Sequence, residues 1–272
     1  MAKCVTPQVY LVGCTEIKVD SLDQYLRDIG VENWETDAGS DPEVLSEVMG
    51  RVCYRSFAPG LNPNVTKIRE GNEKYLANII AQRHGSVFEH AVLNFIFTGV
   101  SRVFTHELVR HRVGVAISQE SMRYVRLQEL GYPQIPDSMI DPSLDARIDE
   151  AIERAFEAVE REYTAVVEEL GLDDGIFSME QKKRITSKLR RMVPMGVSTA
   201  IGWSCNFRTL RTVLEQRTAP AAEVEMRLVF GQVARIVCNN FPSFFSDFVA
   251  GEDPEGSGIL SWAPSTPNTV KI

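Results

Sequence analysis

Residues 110–124 read Arg110-His111-Arg112-Val113-Gly114-Val115-Ala116-Ile117-Ser118-Gln119-Glu120-Ser121-Met122-Arg123-Tyr124, which places three guanidinium groups, one imidazole and two serine hydroxyls in fifteen residues. A guanidinium is a planar fork of donors that matches phosphate and carboxylate oxygens and stays charged at any accessible pH. The run therefore reads as an anion site rather than a piece of core. Its upstream neighbours set its place in the fold. Residues 87–100 alternate as a strand, with Leu93, Phe95 and Phe97 on one face and His90, Val92, Asn94 and Ile96 on the other. Ser101 suits the N-cap of a helix carrying Val103, Phe104, Leu108 and Val109, which delivers Arg110 to Arg112 at its C-terminal end before Gly114 relaxes the backbone.

Working outward, Val9-Tyr10-Leu11-Val12 is an apolar, β-prone run ended by Gly13. Ser40-Asp41-Pro42-Glu43 opens a helix through Val44, Leu45 and Val48, and the spacing predicts another over 66–82. The chain is loop-like from Tyr132-Pro133 to Pro142. Residues 144–170 form a long amphipathic helix with Ile148, Ile152, Phe156, Val159, Tyr163, Val166 and Leu170 along one stripe and Gly171 as a stop. A basic helix is expected over 180–192, one capped by Asn206 runs through Gln216, and a longer one follows from Pro220. No repeat or linker divides the chain. The pattern predicts one α+β domain over 1–272, a small sheet surrounded by helices, with a helical insertion near 140–175 and a partly ordered C-terminal extension over 246–272.

The 272 residues carry a formal net charge of −8, which argues against wholesale nucleic-acid binding. The charge is segregated, however: residues 145–180 hold twelve acidic and three basic side chains, whereas 182–217 hold nine basic ones against Glu215. A local basic segment in an acidic chain suits small anionic ligands. No apolar run of membrane-spanning length and no signal-peptide core is present, so a cytoplasmic protein is expected. The five cysteines are odd in number and lack Cys-x-x-Cys spacing, which argues against a disulfide framework and a thiolate zinc site.

His106-Glu107-Leu108-Val109-Arg110-His111 is one residue too long for the zinc-hydrolase spacing. Positions five apart diverge by roughly 140° around a helix, so the two imidazoles cannot share a metal there, and no metal is expected. No nucleophile elbow, no cysteine beside a histidine, no Walker loop and no dinucleotide-binding glycine turn is present. Any nucleotide must be held by side chains.

Arg110-His111-Arg112, followed after eight residues by Ser121-Met122-Arg123, resembles the Arg-His-Arg-x(7–8)-Ser signature of the flavin-dependent thymidylate synthases, the ThyX family. Ser118-Gln119-Glu120-Ser121-Met122-Arg123-Tyr124 resembles its continuation. Four further stretches agree in order over roughly residues 40–245. These are Arg55-Ser56-Phe57, His84-Gly85-Ser86-Val87-Phe88-Glu89-His90, Arg190-Arg191-Met192-Val193-Pro194, and Asn206-Phe207-Arg208 through Arg217.

The resemblance implies an α+β fold with a small mixed sheet, and reductive methylation of dUMP to dTMP. In that reaction 5,10-methylenetetrahydrofolate is the carbon donor and FAD, reduced by NADPH, is the hydride carrier. It implies a homotetramer with active sites at subunit interfaces, small-molecule substrates, and neither nucleic-acid nor membrane partners. By resemblance Arg217 is the catalytic residue, polarising the uracil. Glu107, Arg110, Gln119, Glu120, Ser121, Arg123, Arg190 and Arg217 meet dUMP. Ser56, His84, Ser86, Glu89, Arg110, His111, Arg112, Gln119, Asn206, Arg208 and Thr212 meet FAD. The chain departs from the family pattern at Glu107, where many members carry Gln, at Thr212 in place of Asn, and at Ala221 in place of His. Two other readings stay open: a relative that methylates another uridine nucleotide such as UMP, and a catalytically silent flavin- or nucleotide-binding protein.

Overall fold

The computed structural model describes residues 3–124, 129–135, 140–251 and 258–265. Strands β1 (Lys3–Val5) and β2 (Gln8–Cys14) lead into helices α1 (Val19–Asp28), α2 (Asp41–Tyr54) and α3 (Asn72–Ala81). A 3-10 turn, Gly85–Glu89, precedes β3 (Val92–Ser101), α4 (Arg102–Leu108), β4 (Val115–Gln119) and β5 (Gly131–Pro133). Then come α5 (Pro142–Glu169), α6 (Met179–Leu189), β6 (Ser198–Asn206), α7 (Phe207–Arg217), α8 (Val224–Asn240), β7 (Phe248–Ala250) and β8 (Trp262–Pro264).

The central sheet has the order β2-β3-β6-β4 and is antiparallel throughout, while β1 pairs with β5 in parallel as a separate two-stranded ribbon. Strands of period two bury one face. Leu93, Phe95 and Phe97 of β3 and Ile201, Trp203 and Cys205 of β6 are all buried, and they pack on Phe104, Phe207, Met226 and Phe230. Rings of Phe97, Trp203 and Phe230 meet with centroids about 6 Å apart, within the range where aromatic pairs add to simple burial. Truncating a fully enclosed ring such as Trp203 to Ala costs roughly 3–5 kcal/mol. The opposite face exposes Tyr10, Val12 and Ile96.

The expected strand over 87–100 starts later. Val87 and Phe88 are consecutive and both buried, which an alternating strand does not allow, and they lie in the 3-10 turn with His90 just beyond it. The helix expected over 66–82 starts at Asn72, because Gly71 has φ +84° and Asn72 N–H donates to Asp37 Oδ1 at 2.5 Å. The helix expected from Pro220 is capped by Glu223, whose carboxylate accepts from Met226 N–H. The long helix α5 forms as expected. Phe156, Tyr163 and Val167 are buried along it while Ile148 and Ile152 stay exposed. Among the described residues no helix is long and apolar enough to cross a membrane.

Candidate functional site

Ser101 ends β3 and caps α4: its hydroxyl accepts from Phe104 N–H at 3.0 Å. The cap is itself clamped by the buried Glu225 of α8, which accepts from Ser101 N–H at 2.6 Å and from the Ser101 hydroxyl. Burial pushes the Glu225 carboxyl up to about 7, against the pull of those two bonds. The short helix α4 then turns out at Arg110 and His111. Gly114, at φ +67°, ends the turn beneath Asn206 and Thr209, which leave no room for a Cβ. Asn206 caps α7 by accepting from Thr209 N–H at 2.9 Å, and the Thr209 hydroxyl donates to the Val113 carbonyl at 2.7 Å. The arginine run is thus held against the start of α7.

Three sequence-predicted residues converge at the other end of α7. Arg217 Nη1 lies 2.7 Å from Glu107 Oε2, and Arg217 Nε donates to His111 Nε2 at 2.7 Å. An imidazole that accepts at Nε2 is neutral, with its proton on Nδ1. Burial, and then the adjacent Arg217 charge, hold the His111 pKa below its ordinary 6.5, with Glu107 acting in the opposite sense. The ion pair is 20% and 39% exposed at its two side chains. Pairs so wetted contribute under about 1 kcal/mol to stability, so this contact sets orientation rather than holding the fold.

A second group lies at the start of α7. Arg208 pairs with Glu89 and packs across Gly85, within 3.1 Å of where a Cβ would stand. Thr212 donates to the Arg208 carbonyl within the helix. Ser56 and His84 line a cavity of about 290 Å³ with Arg51, Tyr54, Lys67, Arg69 and Tyr75, and the His84 ring stacks on Tyr54 at 6.2 Å. Burial pushes the Tyr75 phenol up to about 12, so it stays a neutral donor. The cavity has imidazole, hydroxyl and cationic walls, and Arg208 packs on Gly85, the residue after His84; such donors suit the ring edges and diphosphate of a flavin. Ser86 is exposed on the same turn.

The third group lies at and just after the end of β4, a strand that the sequence pattern left unassigned. Val115 and Ile117 face the core at its edge. Gln119 Nε2 donates to Thr105 Oγ1 at 2.9 Å, and Glu120 Oε2 accepts from Ala200 N–H at 3.3 Å. The Ser121 hydroxyl faces Arg123 N–H at 3.4 Å, and the Arg123 carbonyl accepts from Thr186. Arg110, Arg112, Arg123 and Arg190 are exposed.

Arg102 was not singled out in the sequence. It donates to the Glu120 carbonyl at 2.9 Å, its Nε is buried without a partner among the described residues, and burial lowers its pKa, with the Glu120 charge opposing and Arg190 adding to the effect. Its place directly after an N-cap that leads into the arginine run was the available signal. Among the described residues no three His, Cys, Asp or Glu side chains group as metal ligands.

Residues 36–243 match the family model described as thymidylate synthase complementing protein. The flavin-dependent thymidylate synthase of Mycobacteroides abscessus is 34% identical over 229 residues, covering 84% of this chain and 87% of that protein. The enzyme of the same name from Mycobacterium tuberculosis is 33% identical over 230 residues, covering 84% and 88%. Among solved structures, the UMP/dUMP methylase PolB of Streptomyces cacaoi bound with 5-Br UMP shares the fold, with a TM-score of 0.62 at 16% identity over 90% of this chain and 95% of that one. The signature residues, the antiparallel sheet that presents them and these matches agree: the chain belongs to the thymidylate synthase complementing protein family, that of the flavin-dependent thymidylate synthases.

Proposed function

We propose that the protein carries out the reductive methylation of dUMP to dTMP, with 5,10-methylenetetrahydrofolate as carbon donor and FAD reduced by NADPH. The observation that carries this reading is the Arg217 guanidinium fixed by Glu107 and His111 at the end of α7. Uracil C5 becomes nucleophilic when negative charge on the ring is stabilised, and one preorganised donor of this kind typically supplies ~3–4 kcal/mol, on the order of 10²–10³ in rate. Bound FAD supplies the hydride that completes the methyl group. The chain's part is to place and polarise: Ser121, Arg123 and Arg190 meet the phosphate and sugar, with Glu120 and Gln119 at the edge of β4. Arg110, His111, Arg112, Ser56, His84, Ser86, Glu89, Asn206, Arg208 and Thr212 line the flavin.

Arg208 and Arg217 stand at opposite ends of α7, about 13 Å apart along its axis. The homotetramer with sites at subunit interfaces rests on the family signature.

The test is turnover with NADPH and methylenetetrahydrofolate in an equimolar mixture of dUMP and UMP. The expected product is dTMP. Preferential methylation of UMP assigns the protein to ribonucleotides instead, and flavin bleaching without any methylated product reduces it to a flavin-binding protein.

A further inference from the structure

Arg217 is gripped on two sides, and the grip comes from one short stretch. Glu107 and His111 flank the exit of α4 and reach the same guanidinium 110 and 106 residues away in sequence, one as a carboxylate acceptor and one as an imidazole acceptor. Nη2 has no hydrogen-bonding partner among the described residues, so the two acceptors fix the plane of the guanidinium and leave one amino group to donate. We infer that Glu107 is a positioning residue for Arg217, and that His111 serves as the neutral acceptor completing the grip, so that Glu107 acts through Arg217 rather than on the nucleotide itself. This rests on the assignment of Arg217 to the uracil.

Two consequences follow from charge. The carboxylate balances the guanidinium, so the pair meets an anionic nucleotide with little net charge, and replacing Glu107 with Gln keeps an acceptor while removing the counter-charge. The charged groups acting on His111 are Arg217 from α7 and Glu107 from α4. A protonated His111 cannot accept from Arg217 Nε and adds a second cation beside it, so the grip fails on the acid side. Glu107 favours the charged imidazole and Arg217 opposes it.

The experiment has two arms. In the first, histidine-labelled holoprotein is titrated by NMR, with the His111 signal assigned from His111→Gln. The expected His111 midpoint lies below 6.5 in the wild type, lower still in Glu107→Gln, and higher in Arg217→Gln. A midpoint that moves in neither variant overturns the inference. In the second, kcat and KM for dUMP are followed against pH. Glu107→Ala should lose roughly 10-fold or more in kcat by misplacing the guanidinium, and Glu107→Gln should recover most of it, with the acid limb of kcat/KM moved to lower pH. Equal losses in both variants with an unmoved limb would give Glu107 a direct or merely structural role and overturn the inference. Should the wild type methylate no uridine nucleotide while the NMR midpoints move as expected, the functional reading fails and the coupling of Glu107, His111 and Arg217 stands.

Discussion

The backbone N–H of Asn206 donates to the carbonyl of Gly114 at 3.1 Å, so the residue that caps α7 also fastens the exit of the arginine turn. Gly114 has φ +67°, where a side chain is strained, and a Cβ there would collide with the Asn206 amide and the Thr209 hydroxyl. Gly114→Ala should cost roughly 1–3 kcal/mol and push Arg110 to Arg112 away from α7. Chemical denaturation should show the loss, and flavin retention after gel filtration should fall with it. A variant as stable and as yellow as the wild type would mean that the turn is not held in this way.

Glu225 gives the fold a pH dependence of defined sign. Its carboxyl titrates near 4.5 when unfolded and at about 7 in the fold. Between those values the folded chain keeps a proton that the unfolded chain releases, so the contribution is fully present below about pH 4.5 and is lost as pH rises through 7. The span corresponds to on the order of 3 kcal/mol. Glu225→Gln keeps both an acceptor and a donor toward Ser101 and removes the charge. Its melting temperature should match the wild type near pH 5 and exceed it at pH 8, and parallel profiles for the two proteins would refute the assignment.

Arg211 ties the segment after α8 back to α7. Its guanidinium reaches Asp247 through two bonds, at 2.8 and 2.6 Å, and both side chains are largely buried, at 5% and 14% exposed. Removing one partner of a buried pair strands the other charge and costs roughly 3–5 kcal/mol. Asp247→Ala should therefore lower the melting temperature markedly and open the β7–β8 ribbon to proteolysis. A change within about 0.5 kcal/mol, the usual scatter for surface substitutions, would show that the pair is not the fastening.

Arg217→Ala tests the polarising role. Product formation should fall by on the order of 10²–10³, while bound flavin, read by absorbance, is kept. Unchanged turnover would remove Arg217 from the chemistry.

Much of this architecture was legible. The caps at Ser101 and Asn206 and the buried face of Leu93, Phe95 and Phe97 follow from local pattern, and the structure shows each. Two strands of the central sheet were not read. In β6, Thr199, Ile201, Trp203 and Cys205 alternate inward, but Ala200, Gly202 and Ser204 between them are small and blunt the contrast. In β4, only five residues lie at the sheet edge, and the arginine run dominates their reading. His90 was assigned to a strand because alternation was extended through Val87 and Phe88, which a 3-10 turn buries together. Among the site residues, motif spacing marked Glu107, His111 and Arg217 individually. Their mutual contact joins positions more than a hundred residues apart, and only the packing of both α4 and α7 on β6 brings them together.

The most direct measurement is a single turnover without oxygen. Holoenzyme carrying fully reduced FAD is mixed with dUMP and methylenetetrahydrofolate, and flavin absorbance and nucleotide products are followed together. The account predicts that the flavin is reoxidised with one dTMP formed per flavin. Flavin that stays reduced, or that is oxidised without a methylated nucleotide, would contradict it.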